Sequence, residues 1–253
     1  MSQPVAPLGD PNEDQENNTK SQHVQVQPVE QQQRYHLQSI NSTIVIRHVP
    51  SQGLSFQLWP AATTLVNLLD HHATAKTTLF SSSSGSRLRL LELGSGTGVV
   101  GIAAAALLGA NVTVTDLPNV LPNLQFNTDA NAKVLELHGG AVNVAALSWA
   151  DTQNMEAIGR EYDVILGSDV VYHDHLYEPL LETLKFFLLG SEKKVVFLMG
   201  HLKRWKKESS FFRKAKKFFD VEVIHTDSPC NGSRVGVTVY QFVSKSAQKL
   251  NSK

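Results

Sequence analysis

A glycine-rich turn between a buried strand and an apolar helix is the feature that most constrains the fold of this chain. The turn lies within LRLLELGSGTGVVGIAAAALLGANVTVTDLPN, residues 88–119. The pattern predicts a strand over Arg87–Leu93, a helix over Val99–Leu108 that ends at Gly109, and a second strand over Asn111–Asp116. Strands that alternate with helices of this length form a parallel sheet that is covered on both faces.

The rest of the chain continues this alternation. Further strands are predicted at Val142–Leu147, Tyr162–Ser168, Lys194–Gly200, 221–226 and 234–242, and further helices at a segment starting with Pro60, 119–131, 175–188 and 207–219. The region between the last two strands is too short for a helical crossover, so these strands should pair antiparallel. We therefore predict an α/β fold with a Rossmann-like, seven-stranded, mostly parallel sheet, an antiparallel last strand and helices on both faces.

The ends of the chain differ in composition from this domain, which we place at residues 35–244. Residues 1–34 are rich in Gln, Asn, Pro and Glu and hold almost no large apolar side chains. Such a segment cannot bury enough surface to offset its ordering entropy, which predicts a disordered tail. Alternating segments around Asn41 predict a small β-hairpin extension over residues 35–58. Residues 245–253 are expected to form a flexible C-terminus.

Composition argues against several functional classes. The chain holds 23 Lys and Arg and 23 Asp and Glu, so its formal net charge of zero points neither to nucleic acid nor to a membrane surface. Cys230 is the single cysteine, which excludes an internal disulfide framework and fits a reducing compartment. No apolar run reaches the roughly 18 residues that a membrane span needs. We expect a monomer in the cytoplasm or nucleus, without membrane contact.

The spacing of the glycines narrows the choice of cofactor. Gly94, Gly96 and Gly98 form G-x-G-x-G, whereas a dinucleotide site needs G-x-G-x-x-G and a phosphate-binding loop ends in Gly-Lys-Ser/Thr. Alternating glycines let a small ligand approach the backbone at the carboxyl edge of the sheet. Glu92 precedes the turn, and Asp116 ends the next strand, where its carboxylate can accept hydrogen bonds from two ribose hydroxyls. The alternatives are a tight turn without a ligand and a helix-capping role for Asp116.

Several segments together resemble one family. LLELGSGTGVVGIAAA, followed by VTVTD, is similar to the first motif and its acidic partner in seven-strand, S-adenosylmethionine-dependent methyltransferases. LWPAATTLVNLL, LPNLQFNTDAN, LSWAD and YDVILGSDVVYHDHLYEPLLETL resemble further motifs of one branch. That branch is the methyltransferase-like-21 group of protein-lysine methyltransferases. The resemblance covers roughly residues 36–243 and implies S-adenosylmethionine as the cofactor.

The resemblance also implies a set of cofactor contacts. The predicted cofactor-binding residues are Trp59, Glu92, Gly94, Ser95, Gly96, Asp116, Trp149 and Ser168. The backbone of the glycine turn would contact the methionine part, while Asp116 would hold the ribose. Trp149 would lie near the adenine, and Trp59 would close the pocket from the N-terminal side. Ser168 occupies a position that is often alanine in the family, and ordinary core packing is the alternative for both tryptophans.

SDVVY, just past a predicted strand, supplies candidates for handling a lysine acceptor. A lysine amine starts protonated, since its reference pKa is about 10.4. A carboxylate would draw in the cation, and a ring face would tolerate it once methylated. We therefore assign Asp169 and Tyr172, which match the D-x-x-Y motif of the family, to binding and orienting the amine; capping and packing are the alternatives. Asp174 could join Asp169 as a metal ligand, but no third acid has suitable spacing, so we predict no metal.

The stretch HLKRWKKESSFFRKAKKFF, residues 201–219, carries eight basic residues. It predicts an amphipathic helix with an apolar face formed by Phe211, Phe212, Phe218 and Phe219. Docking of an acidic protein surface or of RNA is the alternative, although the neutral net charge makes nucleic acid an unfavoured partner. We predict a protein N-lysine methyltransferase whose partner is a protein that carries the target lysine. The alternatives are a methyltransferase for RNA or a small metabolite, and a non-catalytic, cofactor-binding interaction module.

Overall fold

The computed structural model describes residues 30–75, 86–191, 193–229 and 235–245. Within these residues, the strands of the main sheet are β3 Arg89–Leu93, β4 Asn111–Asp116, β5 Ala141–Ala146, β6 Val164–Ser168, β7 Val196–His201, β8 Phe219–Thr226 and β9 Thr238–Ser244. Their order in the sheet is β5-β4-β3-β6-β7-β9-β8. Strands β3 to β7 run parallel, while β9 pairs antiparallel with both β7 and β8. The predicted mostly parallel sheet with antiparallel closing strands is confirmed.

Helices cover both faces of this sheet. They are α1 Pro60–Ala75, α2 Val99–Leu108, α3 Leu121–Ala130, α4 Ala132–Leu137, α5 Thr152–Ile158, α6 Tyr177–Leu189 and α7 Ser209–Ala215. Because side chains alternate along a strand, Leu90 and Leu91 of β3 belong to opposite cores. Leu90 packs into the core that contains α1 and α2, and Leu91 into the core that contains α6 and α7. The parallel strands are therefore apolar on both faces.

A separate hairpin, β1 Gln31–Leu37 and β2 Ser42–His48, precedes the main sheet. Its connection ends at Asn41, whose φ of 45° lies in the left-handed region. The hairpin begins four residues before the extension predicted from residue 35, inside the segment expected to be disordered. The remainder of that predicted tail, 1–29, and the predicted C-terminus beyond 245 lie outside the described residues.

Asparagines of α3 and the residue after it fasten this hairpin to the domain. Asn127 Oδ1 accepts the amide N–H of Arg47 at 2.8 Å, and its Nδ2 donates to the Arg47 carbonyl at 2.9 Å. Asn131 makes the same pair of hydrogen bonds with Val45, at 2.9 and 2.8 Å. Four helical residues rise about 6 Å, close to the roughly 6.6 Å of two strand residues, so the two spacings match. The amide side chains thus act as a strand-like edge for β2.

The elements differ from the sequence predictions in three places. Helix α5 was not predicted, and α4 fills a segment for which the pattern gave no assignment. The predicted helix over 207–219 is shorter, since α7 spans only Ser209–Ala215 and β8 begins at Phe219. Phe219 is fully buried in the strand, so the predicted helical face with Phe218 and Phe219 is wrong. Aromatic residues seven apart fit both a helix face and a helix followed by a buried strand.

No helix within the described ranges is both long enough and apolar enough to span a bilayer.

Candidate active site at the carboxyl edge of the sheet

A cavity of about 370 Å³ opens where β3, β4 and β6 end. Nine of the ten predicted site residues line it: Trp59, Gly94, Ser95, Gly96, Asp116, Trp149, Ser168, Asp169 and Tyr172. They come from five separate stretches of the chain, which meet because the carboxyl ends of parallel strands lie at one edge of the sheet. A volume of this size is typical of sites for small organic ligands.

The glycine turn forms one wall of the cavity. Gly94 and Gly96 have φ values of 59° and 55°, which favour glycine. A Cβ on Gly96 would lie 2.9 Å from the Ser55 carbonyl oxygen, and one on Gly94 would lie 3.2 Å from the Trp149 ring. Neither position has room for a larger residue. The turn therefore presents bare backbone to a ligand, as the sequence predicted.

Asp116 stands at the end of β4 and holds the turn in place. Its Oδ2 accepts the Gly96 amide N–H at 2.8 Å, and its Oδ1 accepts the Leu117 amide N–H at 2.8 Å. Burial raises the pKa of the Asp116 carboxyl, while these two hydrogen bonds act in the opposite direction. Carboxylate oxygens accept more than one hydrogen bond each, so the group can also receive ligand hydroxyls from the cavity side.

Glu92 is the predicted residue that does not line the cavity. It is fully buried under the turn, where Oε2 accepts the Gly101 amide N–H at 3.0 Å. Among the described residues, Oε1 has no hydrogen-bond partner. Burial raises the pKa of the Glu92 carboxyl to about 8. From this position Glu92 supports the first turn of α2 rather than contacting a ligand in the cavity.

Two tryptophans close the cavity from different sides. Trp59 directly precedes α1, and its Nε1 donates to the Leu54 carbonyl at 2.9 Å. Trp149 follows β5 and lies against Gly94. Leu54 and Ser55, which the sequence analysis did not single out, line the same side as Trp59. Their position depends on the 3₁₀ turn Leu54–Phe56, for which short irregular segments give little sequence signal.

Asp169 follows β6 in a constrained conformation. Its φ of 54° is unusual for a residue other than glycine, and its amide N–H donates to the Gly200 carbonyl at 2.9 Å. Both carboxylate oxygens are engaged by Arg204, at 3.1 and 3.0 Å, and Oδ1 also accepts the Leu202 amide N–H at 3.0 Å. The carboxylate predicted to meet an ammonium therefore already has a cationic partner.

Tyr172 lies on the same wall as Asp169. Burial raises the pKa of its phenol, and the charge of Asp116 across the cavity raises it further. Its ring centroid lies 4.7 Å from that of His173, which also lines the cavity. The phenol is thus neutral at physiological pH and can donate or accept one hydrogen bond in the cavity.

Arg204 and Trp205 are two further site residues that were not predicted from the sequence. Both line the cavity, and the Arg204 guanidinium lies 5.0 Å from the centre of the Trp59 ring. Both belong to the basic stretch 201–219, for which an amphipathic helix was predicted, because a run of lysines and arginines usually marks a solvated face. Their position directly after β7, at the carboxyl edge, was the available signal.

Comparison with known proteins agrees with this geometry. A family model described as lysine methyltransferase matches residues 38–218. The chain belongs to the lysine methyltransferase family. It is 39% identical over 140 residues to protein N-lysine methyltransferase METTL21A of Danio rerio, covering 55% of this chain and 61% of that protein. With METTL21A of Mus musculus it shares 37% over 189 residues, covering 74% of this chain and 79% of that protein.

A third relative is EEF1A lysine methyltransferase 3 of Mus musculus, with 36% identity over 144 residues, 56% of this chain and 58% of that protein. The chain thus spans about three fifths of the length of two of these three relatives. Among solved structures, a predicted O-methyltransferase of Agrobacterium tumefaciens matches with a TM-score of 0.50 and 14% identity, covering 75% and 82% of the two chains. At this identity the likeness concerns the fold.

The family confirms the expected cofactor, S-adenosylmethionine. The residues that line the cavity also fit S-adenosylmethionine. Bare backbone at Gly94 and Gly96 can accommodate the methionine part, and the Asp116 carboxylate can accept ribose hydroxyls. Trp149 and Leu117 offer apolar surface beside them for an adenine ring.

Proposed function

We propose that the chain transfers methyl groups from S-adenosylmethionine to the side-chain amine of a lysine in a specific protein. The observation that carries this proposal is the arrangement of the two walls of one cavity. The glycine turn and Asp116 form the wall suited to the cofactor, and the Asp169–Tyr172 loop forms an adjoining wall of the same cavity, since a Cβ on Gly94 would lie 3.3 Å from the Val170 side chain. A donor on one wall and an acceptor on the other would meet without further rearrangement of the sheet.

The bound cofactor would supply an electrophilic methyl group, whose carbon the neutral lysine Nζ would attack while the thioether sulfur leaves as the C–S bond breaks. The residues of this chain would then act mainly by positioning, which contributes a large part of the acceleration in such two-reactant steps. Tyr172 would hold the amine through its hydroxyl and its ring face. Trp59 and Trp205, which border the cavity, would limit the access of water.

The names of the relatives support a protein acceptor. METTL21A is named a protein N-lysine methyltransferase, and another relative is named for the lysine methylation of EEF1A. The test is incubation of the purified chain with methyl-labelled S-adenosylmethionine and an extract of cells in which the gene has been disrupted. We expect label in methyl-lysine after hydrolysis of the protein fraction, in a band that protease removes and nuclease does not.

Two variants make this experiment specific. Asp116→Ala should lose the labelled band because cofactor binding is weakened. Asp129→Ala should retain it, because Asp129 is exposed on α3 and accepts a hydrogen bond from Gln125 outside the cavity. Label confined to nucleic acid or small molecules would replace the proposal with methylation of those acceptors. Cofactor binding without any label would favour a non-catalytic role.

A further inference from the structure

Arg204 and Asp169 form a bidentate ion pair beside the loop Asp169–Tyr172, which is the part of the cavity proposed to hold the lysine and is called the acceptor end below. Each of the two carboxylate oxygens accepts one guanidinium N–H, at 3.1 and 3.0 Å. The Asp169 side chain is 5% exposed, and that of Arg204 is 24% exposed. A bidentate pair with so little solvent access is fixed in geometry and is screened less than a surface pair.

Contacts other than the one with Asp169 hold both the backbone and the guanidinium of Arg204 in place. The Arg204 amide N–H donates to Glu208 Oε2 at 3.1 Å, and Nη1 also donates to the Leu202 carbonyl at 3.1 Å. The guanidinium lies 5.0 Å from the centre of the Trp59 ring. Arg204 therefore connects the loop after β7 with the loop after β6 and with the segment before α1.

We propose that Arg204 is a positioning residue that neutralises Asp169, so that the acceptor end of the cavity favours a neutral lysine amine over an ammonium. This inference rests on the proposed lysine methylation. The amine must lose its proton to water before its nitrogen forms the new N–C bond and the C–S bond breaks. An uncompensated carboxylate beside the amine would stabilise the ammonium and raise the amine pKa. The pair removes that obstacle while Asp169 still shapes the loop.

Other charged and titratable groups face this region from each neighbouring element. They are Asp116 at the end of β4, Tyr172, His173 and Asp174 after β6, Tyr177 on α6, His201 on β7, Lys207 and Glu208 before α7, and Tyr240 on β9. His201 lies 4.0 Å from Asp169 and 3.2 Å from Glu208, and Lys207 pairs with Asp174 at 3.3 Å. All of them remain in each variant below. Burial and the charge of Arg204 lower the pKa of His201, while Glu208 and Asp169 raise it, so each variant is also measured in a His201→Gln background, where this group does not titrate.

The test is the pH dependence of kcat for methylation of the lysine-containing protein identified by the labelling experiment. Under saturating cofactor and acceptor, the acid limb of kcat reports protonation within the complex. We expect Arg204→Gln to shift this limb to higher pH by about 1 unit. The Asp169 carboxylate would then be unpaired, and an unpaired carboxylate within about 4–6 Å of an amine raises the amine pKa by about that amount. The double variant Asp169→Asn/Arg204→Gln, which also lacks the carboxylate charge, should return the limb to within about 0.3 unit of the wild type.

Two controls separate this effect from a structural one. Lys203→Gln removes one positive charge at an exposed neighbouring position and should leave the limb in place. Arg204→Lys keeps the positive charge but cannot form the two parallel hydrogen bonds to Asp169. It should therefore lower kcat with little change in the pH of the acid limb. An Arg204→Gln variant that binds the cofactor but loses kcat equally at every pH would overturn the inference. If the wild-type chain methylates no lysine, the proposed function itself fails, which is a separate result.

Discussion

At the scale of single residues, Asp116 combines two tasks that a sequence motif cannot separate. Its carboxylate fixes the turn through Gly96 and has capacity for ligand hydroxyls from the cavity. Asp116→Ala should weaken S-adenosylmethionine binding by at least about tenfold, because a hydrogen bond to a charged group contributes roughly 1.5–3 kcal/mol. Calorimetric titration measures this directly, with Asp129→Ala as the matched control. Unchanged affinity would remove Asp116 from the cofactor site.

Glu92 makes folding stability depend on pH. Burial raises the pKa of the Glu92 carboxyl in the folded chain to about 8, above its ordinary value of 4.5, so the folded state binds the proton more tightly. The stabilisation from this proton is complete below about pH 4.5 and is lost as pH rises through about 8. Glu92→Gln retains an acceptor for the Gly101 amide and does not titrate. The free energy of unfolding of Glu92→Gln should therefore lack this decrease as pH rises.

Urea unfolding of the wild type and Glu92→Gln at pH 5.5, 7 and 8.5 measures this effect. The free energy of unfolding of the wild type should fall relative to that of the variant by at least about 1 kcal/mol across this range. Glu136→Gln, at an exposed position on α4, is the control and should follow the wild type. Parallel curves for the wild type and Glu92→Gln would mean that the carboxyl titrates normally.

The sequence predicted the site residues whose constraint is local. The positive φ of Gly94 and Gly96 and the strand-terminal place of Asp116 follow from a strand-turn-helix pattern that short-range sterics determine. The pairing of Asp169 with Arg204 could not be predicted, because the two residues lie 35 positions apart and meet only when β6 and β7 align. Charge partners of this kind are set by tertiary packing.

At the scale of elements, the asparagine contacts between α3 and β2 explain how a two-stranded hairpin is held. A lone hairpin is marginal in water, so its stability depends on such docking. Asn131→Ala would leave the N–H and C=O of Val45 without their partners and should cost about 1–3 kcal/mol. Chemical unfolding measures the loss, and hydrogen exchange of the β2 amides should rise with it.

Asn119→Ala is the control for this change, since Asn119 is exposed in the turn before α3. Equal stability of the two variants would show that apolar contacts alone dock the hairpin.

The spacing of four between Asn127 and Asn131 is visible in the sequence. It predicts a contact with β2 only when α3 is known to lie beside that strand. Long apolar elements such as α2 were predicted to the residue. Short α5 and the boundary of α7 were not, because helices of seven residues make only about two turns and give few periodic positions.

At the scale of the whole molecule, the order of strands and helices was predictable because each element repeats one simple pattern. The position of the site followed from the fold, since ligands of open α/β sheets bind beyond the carboxyl ends of the strands. The alternation of strands and helices along the chain could not predict which distant segments close the cavity. Trp59 precedes the first helix, Trp149 follows β5 and Trp205 follows β7, yet all three line one cavity.

These three are the only tryptophans of the chain, so intrinsic fluorescence should report on this cavity. Adding S-adenosylmethionine should change the emission saturably, with a midpoint equal to the calorimetric Kd, because the ligand alters the surroundings of the indole rings. Asp116→Ala should move the midpoint to about tenfold higher concentration. Free methionine at equal concentration is the control and should leave the emission unchanged. Calorimetric binding without any change in fluorescence would place the cofactor outside this cavity, since no bound ligand could fill it without contacting an indole ring.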